Sequence, residues 1–216
     1  MTKQKDIFLE SEANQWFERN HSAIQKREFG KNDPIVQSIC ECLNADPEKR
    51  GKGMLLEVGC GEAKRLHWIS RNLDLQCFGL EPSQKAVSFG STNEVPVIQG
   101  TADKLEFENE SFDFLVYGFC LYLCDRIDLF QIAKEAHRVL KPHGWLIIHD
   151  FFSETPYARD YHHLPGIFSY KMDYRSLFVW HPDYSCYAHS IHKHCDNVFT
   201  DQQDDWVATS IIRKRG

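Results

Sequence analysis

Apolar residues change their spacing twice along this chain. Between residues 33 and 44, Ile35, Val36, Ile39, Cys40 and Leu43 recur at the interval of one helical face, with Asp33 as N-cap and Pro34 in the first helical position. From Met54 the period shifts. Met54-Leu55-Leu56-Glu57-Val58 is a short apolar run of the kind a buried parallel strand carries. A helix is predicted over 63–72, with Leu66, Ile69 and Leu73 on one face, then a strand over 77–80 ending at Glu81. A further helix follows Pro82, strands are predicted at 95–98, 112–117 and 145–149, and a strong helix at 126–140 with Asp125 as its cap. Strands alternating with helices imply a parallel α/β sheet with right-handed crossovers. After Asp150 the alternation stops. Residues 151–171 are aperiodic and rich in aromatics and histidine, and two long strands near 184–194 and 206–214 read as a closing antiparallel hairpin. Residues 1–30 are polar apart from Ile7-Phe8-Leu9 and Trp16-Phe17, which suggests one or two short helices.

Composition narrows the class. The chain has 216 residues, enough for one domain with an appended flap. The single domain divides into an N-terminal helical cap over 1–50, a core over 52–151, an insert over 152–176 and the terminal hairpin over 177–216. A net charge of −6 argues against gripping nucleic acid through its phosphates. No apolar run approaches the roughly 18 residues of a membrane span, and the start shows no signal-peptide run. The expectation is a cytoplasmic protein with neither nucleic-acid nor membrane partners, its eight cysteines reduced. Cys40 and Cys42 are one residue apart, a poor zinc clamp.

The candidate chemistry begins at Glu57-Val58-Gly59-Cys60-Gly61-Glu62-Ala63, a glycine-rich turn between a predicted strand and helix. In open α/β sheets nucleotides bind at such strand ends. A dinucleotide turn would carry a third glycine where Lys64 stands, and Glu57 is poor company for a pyrophosphate. A carboxylate there suits an amino group or a sulfonium.

This turn resembles motif I of the class I S-adenosylmethionine-dependent methyltransferases, and three further segments follow at the family's usual spacing. Glu81 lies twenty residues after Gly61; Gly100-Thr101-Ala102-Asp103 follows the third strand; 111–117 is similar to the fourth-strand motif and 135–146 to the helix-turn-strand motif. The resemblance implies a Rossmann-like, doubly wound, seven-stranded and mostly parallel sheet. It also implies S-adenosylmethionine as cofactor and S-adenosylhomocysteine as product. By the same resemblance Gly59, Cys60 and Gly61 form the cofactor turn with Glu57 beside them. Glu81 with Pro82 meets the ribose, Ala102 and Asp103 the adenine, and Tyr117, Phe119 and Tyr122 lie under the methionine part. Phe119 and Tyr122 read equally well as core. Trp16-Phe17-Glu18-Arg19-Asn20 reads as a docked amphipathic helix or as a lid placing Trp16 and Arg19 over the cofactor. It is similar to a short segment of bacterial surface-sugar methylases, among them the pseudaminic acid biosynthesis-associated group.

No dedicated catalytic motif is visible. After the fourth strand comes Tyr117-Gly118-Phe119-Cys120, not the Asn-Pro-Pro-Tyr type that methylates amino groups of bases or glutamine. The expected acceptor is a small molecule, a sugar or other metabolite. Were it a hydroxyl, a general base would help, with His149, Asp150, His162 and His163 as candidates. Asp150 is favoured over His149, which the strand pattern turns toward the core, and the histidine pair lies in the acceptor-side insert. His189, His192, His194 and Cys195 suggest a metal, but only His192 and His194 share a strand face. Polar outward positions on an edge hairpin are the preferred reading, with no metal. A non-catalytic cofactor-binding subunit or sensor is the alternative function. Neither the acceptor nor the oligomeric state is written in these motifs.

Overall fold

Asp33 starts the first core helix as its spacing predicts: its Oδ1 accepts the N–H groups of Ile35 (3.0 Å) and Val36 (3.2 Å). The computed structural model describes residues 4–90, 94–194, 196 and 198–216. In chain order the N-terminal segment holds α1 (Gln4–Ile7), a wide helical turn (Phe8–Glu12), α2 (Ala13–Lys26) and α3 (Pro34–Ala45). The core holds β1 (Met54–Val58), α4 (Lys64–Leu73), β2 (Gln76–Glu81), α5 (Gln84–Gly90), β3 (Val97–Gln99), β4 (Phe112–Gly118), α6 (Leu129–Val139) and β5 (Leu140–Phe151). Then come β6 (Tyr157–Asp160), β7 (Phe168–Lys171), α7 (Ser176–Val179), β8 (Tyr184–Lys193) and β9 (Trp206–Lys214).

Seven strands form one sheet in the order β3-β2-β1-β4-β5-β9-β8. It is parallel through β5 and antiparallel from β5 to β8. The winding direction reverses between β1 and β4, so a crevice opens at their carboxyl ends. Side chains alternate across the sheet. Leu56, Leu115, Tyr117, Leu146 and Ile148 pack with Ile132, Ala136 and Val139 of α6 on one face. Leu55, Phe114, Val116 and Ile147 pack with Ile35, Ile39, Leu66 and Ile69 of α3 and α4 on the other.

Several local expectations change. The helix expected from 126 starts at Leu129 after a tight turn at Arg126–Asp128. Asp125 does not cap it; its Oδ2 accepts the Lys5 N–H instead (3.1 Å). β5 runs from Leu140 rather than Trp145, because the chain passes from helix to strand without a loop. The aperiodic insert contains an unanticipated two-stranded hairpin, β6 with β7. In the terminal hairpin His192 is buried, not outward, because the His149 ring stacks on it at 5.4 Å and its Nε2 lies 3.2 Å from Thr209 Oγ1. His189 Nδ1 lies 2.9 Å from Ser210 Oγ. Cys195 lies outside the described residues, as do residues 1–3 of the chain's start. The seven described cysteines are unpaired, and no described helix is long and apolar enough to cross a membrane.

Candidate functional site

β1 delivers the glycine-rich turn into the crevice, and its two glycines do different work. Gly59 sits at φ +77°, and a Cβ there would stand 2.6 Å from the Cys120 Cβ. Its N–H and that of Cys60 donate to the Leu80 carbonyl (2.8 and 3.3 Å), fastening the turn to β2. Gly61 sits at φ +56°, and a Cβ there would meet nothing within 4 Å. Open space therefore lies over Gly61, while Gly59 is pressed against the loop after β4. Ala63 also takes a left-handed conformation (φ 60°) at the start of α4, a strain of about 1 kcal/mol for a non-glycine residue.

Glu81 closes the turn from the side. Its Oε2 accepts the Gly61 N–H (2.9 Å) and its Oε1 the Ser83 N–H (3.0 Å), with Pro82 half-buried between. Burial pushes this carboxyl up to about 7, against the pull of those two N–H groups. Further along the crevice Ala102 is buried and Asp103 is paired with Lys5 from α1. Burial opposes ionisation of Asp103, yet the Lys5 hydrogen bond and charge hold it below the usual carboxylate range.

Glu57 does not stand alone. Its Oε1 is paired with Arg65 on α4, whose Nε donates to Asp33 Oδ1 (3.1 Å). Arg27 Nη2 lies 3.6 Å from Asp33 Oδ2, and the Arg27 and Arg65 guanidinium groups each lie 5.0 Å from the centre of the Phe29 ring. Two carboxylates and two guanidinium groups thus balance beneath the turn. Burial still raises the Glu57 carboxyl above its ordinary value despite Arg65. The expectation that Glu57 waits for a cationic ligand overlooked Arg65. The signal was legible: Arg65 is four residues before Ile69, on the buried face of the same helix. Among the described residues, Glu57 Oε2 has no partner. Lys64, the residue that argued against a pyrophosphate turn, caps α2 by donating to the carbonyls of Ile24 (3.2 Å) and Gln25 (3.0 Å).

Beyond β4 the site turns aromatic. Phe119 takes φ +52°, rare for a bulky residue, and its ring meets those of His149 (4.7 Å), Phe151 (5.3 Å) and His194 (5.3 Å). Tyr122 packs edge-on against Phe151 (5.0 Å) and shares a hydrogen bond with Trp16. Tyr117, by contrast, lies wholly in the core below. The N-terminal segment closes over this wall. Gln4 Nε2 donates to the carbonyls of Leu123 (2.7 Å) and Phe168 (2.9 Å), and its Oε1 accepts the Phe168 N–H (2.8 Å). Arg19 pairs with the buried Glu12 and donates to the Tyr161 hydroxyl (3.1 Å), which itself donates to Glu12 (3.0 Å). Trp16 and Arg19 therefore belong to a cover clasped to the β6–β7 hairpin.

The candidate bases lie at the end of β5 and in the insert, in different surroundings. Asp150 is buried and its oxygens accept the N–H groups of Cys120 (3.1 Å), Leu121 (2.8 Å) and Phe151 (2.8 Å). Burial raises its carboxyl to about 7 against those bonds, and the geometry makes it the organiser of the loop after β4. His162 and His163 are exposed in the turn between β6 and β7, beside Tyr161. His149, set aside as core-facing, is buried yet touches Phe119 at the aromatic wall.

Comparison with known proteins agrees with this geometry. Residues 56–148 match the family model described as a methyltransferase domain. A demethylmenaquinone methyltransferase of Bacillus velezensis is 32% identical over 132 residues, 61% of this chain and 50% of that protein. A tRNA N(3)-methylcytidine methyltransferase of Schizosaccharomyces pombe is 25% identical over 144 residues, 57% of this chain and 47% of that protein. The 1,6-didemethyltoxoflavin-N1-methyltransferase of Burkholderia thailandensis, solved with its substrate and S-adenosylhomocysteine, superposes with a TM-score of 0.69 at 11% identity. That superposition covers 98% of this chain and 87% of that one. The chain spans half or less of the length of the first curated relatives it matches. Residues 56–148 of this chain carry a methyltransferase domain, set in a Rossmann-like seven-stranded sheet.

Proposed function

We propose that this protein binds S-adenosylmethionine across the ends of β1, β2 and β4 and transfers its methyl group to a small-molecule acceptor. The observation that carries this reading is the open space over Gly61 beside the buried Glu81 carboxylate. Such a cradle suits a ligand with hydroxyl donors and no phosphate. Glu81 would hold the ribose hydroxyls, Ala102 and Asp103 the adenine, and the turn at Gly59, Cys60 and Gly61 the amino-acid part, near the unsatisfied oxygen of Glu57. The bound group supplies an electrophilic methyl on a sulfonium. The chain's own residues orient the acceptor and exclude water: Phe119, Tyr122 and Phe151 form a wall, and the segment carrying Trp16 and Arg19 covers it. That close cover and the net charge of −6 favour a small acceptor over RNA.

Incubation with methyl-labelled cofactor and a lysate split into RNA, protein and small-molecule fractions tests this reading. Label is expected in the small-molecule fraction. Label confined to RNA would replace the acceptor class, and cofactor binding without any transfer would leave a binding subunit or sensor.

A further inference from the structure

Three side chains on neighbouring strands form a buried hydrogen-bonded line. His149 Nδ1 lies 2.7 Å from Thr209 Oγ1, and Thr209 Oγ1 lies 3.2 Å from His192 Nε2. His192 Nδ1 lies 3.0 Å from the Lys193 carbonyl. The two imidazoles stack at 5.4 Å with 19° between their planes. His149, Thr209 and His192 are all buried, and the His149 ring touches Phe119 at the aromatic wall.

Donor and acceptor rules fix the protons. A carbonyl only accepts, so His192 Nδ1 carries hydrogen. In neutral His192 the other nitrogen, Nε2, is then an acceptor, and the Thr209 hydroxyl donates to it. Thr209 oxygen in turn accepts from His149 Nδ1–H. The lone pair of neutral His149 is therefore left at Nε2. Protonating His192 reverses the line: its Nε2–H donates to Thr209, Thr209 donates to His149 Nδ1, and His149 carries hydrogen at Nε2 instead.

We propose that His149, Thr209 and His192 form a proton relay that removes the acceptor's proton during methyl transfer, and hence that the acceptor atom is an O–H or N–H. This rests on the methyl-transfer reading above. As the acceptor atom bonds to the methyl carbon and the sulfur–carbon bond breaks, the acceptor's proton passes to His149 Nε2. The Nδ1 proton of His149 moves to Thr209 oxygen, and the hydroxyl proton of Thr209 moves to His192 Nε2. The positive charge lost by the sulfonium ends on His192, and the thioether leaves neutral.

The relay answers a difficulty that a lone base would face. Burial, then Arg65 on α4, His192 on β8, Arg27 after α2 and His194 beyond β8 all hold the His149 imidazole well below its ordinary value. A proton kept on His149 would meet all of these groups. A proton passed through Thr209 leaves His149 neutral and lands on His192 of the edge strand β8. Thr209 and His192 are positioning and relaying residues, and His149 is the one that would touch the acceptor.

Nitrogen NMR of the full chain with 15N-labelled histidine reads the tautomers without any acceptor. At neutral His192 the relay predicts hydrogen on His149 Nδ1 and a bare Nε2. On acidification His149 is expected to switch to Nε2–H in the same step that protonates His192. Thr209→Val should uncouple the two rings, and Thr209→Ser should restore the coupling. In the labelled-methyl assay, Thr209→Val is expected to slow transfer about 100-fold, with Thr209→Ser close to wild type and S-adenosylhomocysteine affinity unchanged in both. His149 already protonated at Nε2 while His192 is neutral, a switch that persists in Thr209→Val, or an unchanged transfer rate would each overturn the relay. Loss of cofactor binding by the wild type would instead overturn the parent reading and leave the NMR result standing.

Discussion

The two sides of the crevice are built differently. The cofactor side, from Leu56 to Asp103, is made of main chain close in sequence: Gly59 and Cys60 donate to Leu80, and Gly61 to Glu81. The acceptor side is held by side chains that reach across long stretches of chain: Gln4 to the Phe168 main chain, Arg19 to Tyr161, His149 to Thr209. A backbone turn writes itself into sequence as glycine and a fixed interval. A side-chain line across strands leaves only single residues far apart. Substitutions should therefore divide as well, with those on the cofactor side changing affinity and those in the long-range networks changing stability or, at Thr209, the rate of transfer.

Arg65 gives the largest break. Arg65→Met strips the cation from between Glu57 and Asp33 and leaves buried carboxylates uncompensated. A loss of about 3–5 kcal/mol in unfolding free energy is expected by urea denaturation. Gly59 blurs the division, because its missing Cβ makes room for Cys120. Gly59→Ala should cost about 1–3 kcal/mol of stability through that clash alone.

Glu81 sharpens it. Glu81→Ala should weaken S-adenosylhomocysteine by about 10- to 100-fold in calorimetry, the worth of hydrogen bonds to a charged group. Its carboxyl at about 7 adds two opposite pH trends. Because the folded value lies above the unfolded one, near 4.5, its share of stability is full below about pH 4.5 and is lost as pH rises through about 7. Cofactor affinity should run the other way and weaken as pH falls from 8 to 6, since ribose hydroxyls donate to the ionised form. A pH-flat affinity would remove Glu81 from the ribose. The smallest effect is expected at Lys5. Lys5→Ala should change stability by about 1 kcal/mol or less and tighten cofactor binding a few-fold, because Lys5 occupies Asp103.

Legibility in the sequence follows the same line. The sheet from β1 to β5, the cap at Asp33, the placement of Glu81 at the end of β2 and of Asp103 in the loop after β3 all come from local patterns, and the structure has them. The β6–β7 hairpin left no alternation to read, because its outward residues and its packing on α1 and α2 depend on partners more than a hundred residues away. His192 was read as outward because what covers it, the His149 ring on β5 and Thr209 on β9, comes from strands outside its own period. The hold on Asp150, a candidate base by sequence, was not legible because its three N–H groups come from the loop after β4 and from its own neighbour. Arg65 was legible on the helical period and overlooked.

On the proposed function the methyl donor sits in the space over Gly61. Calorimetric titration of S-adenosylmethionine and S-adenosylhomocysteine into the wild type and Gly61→Ala tests this placement most directly. The wild type is expected to bind both. Gly61→Ala is expected to stay folded, losing about 1 kcal/mol to its left-handed conformation, and to bind both at least about 10-fold more weakly. No binding by the wild type, or equal affinity in a folded Gly61→Ala, would contradict this placement.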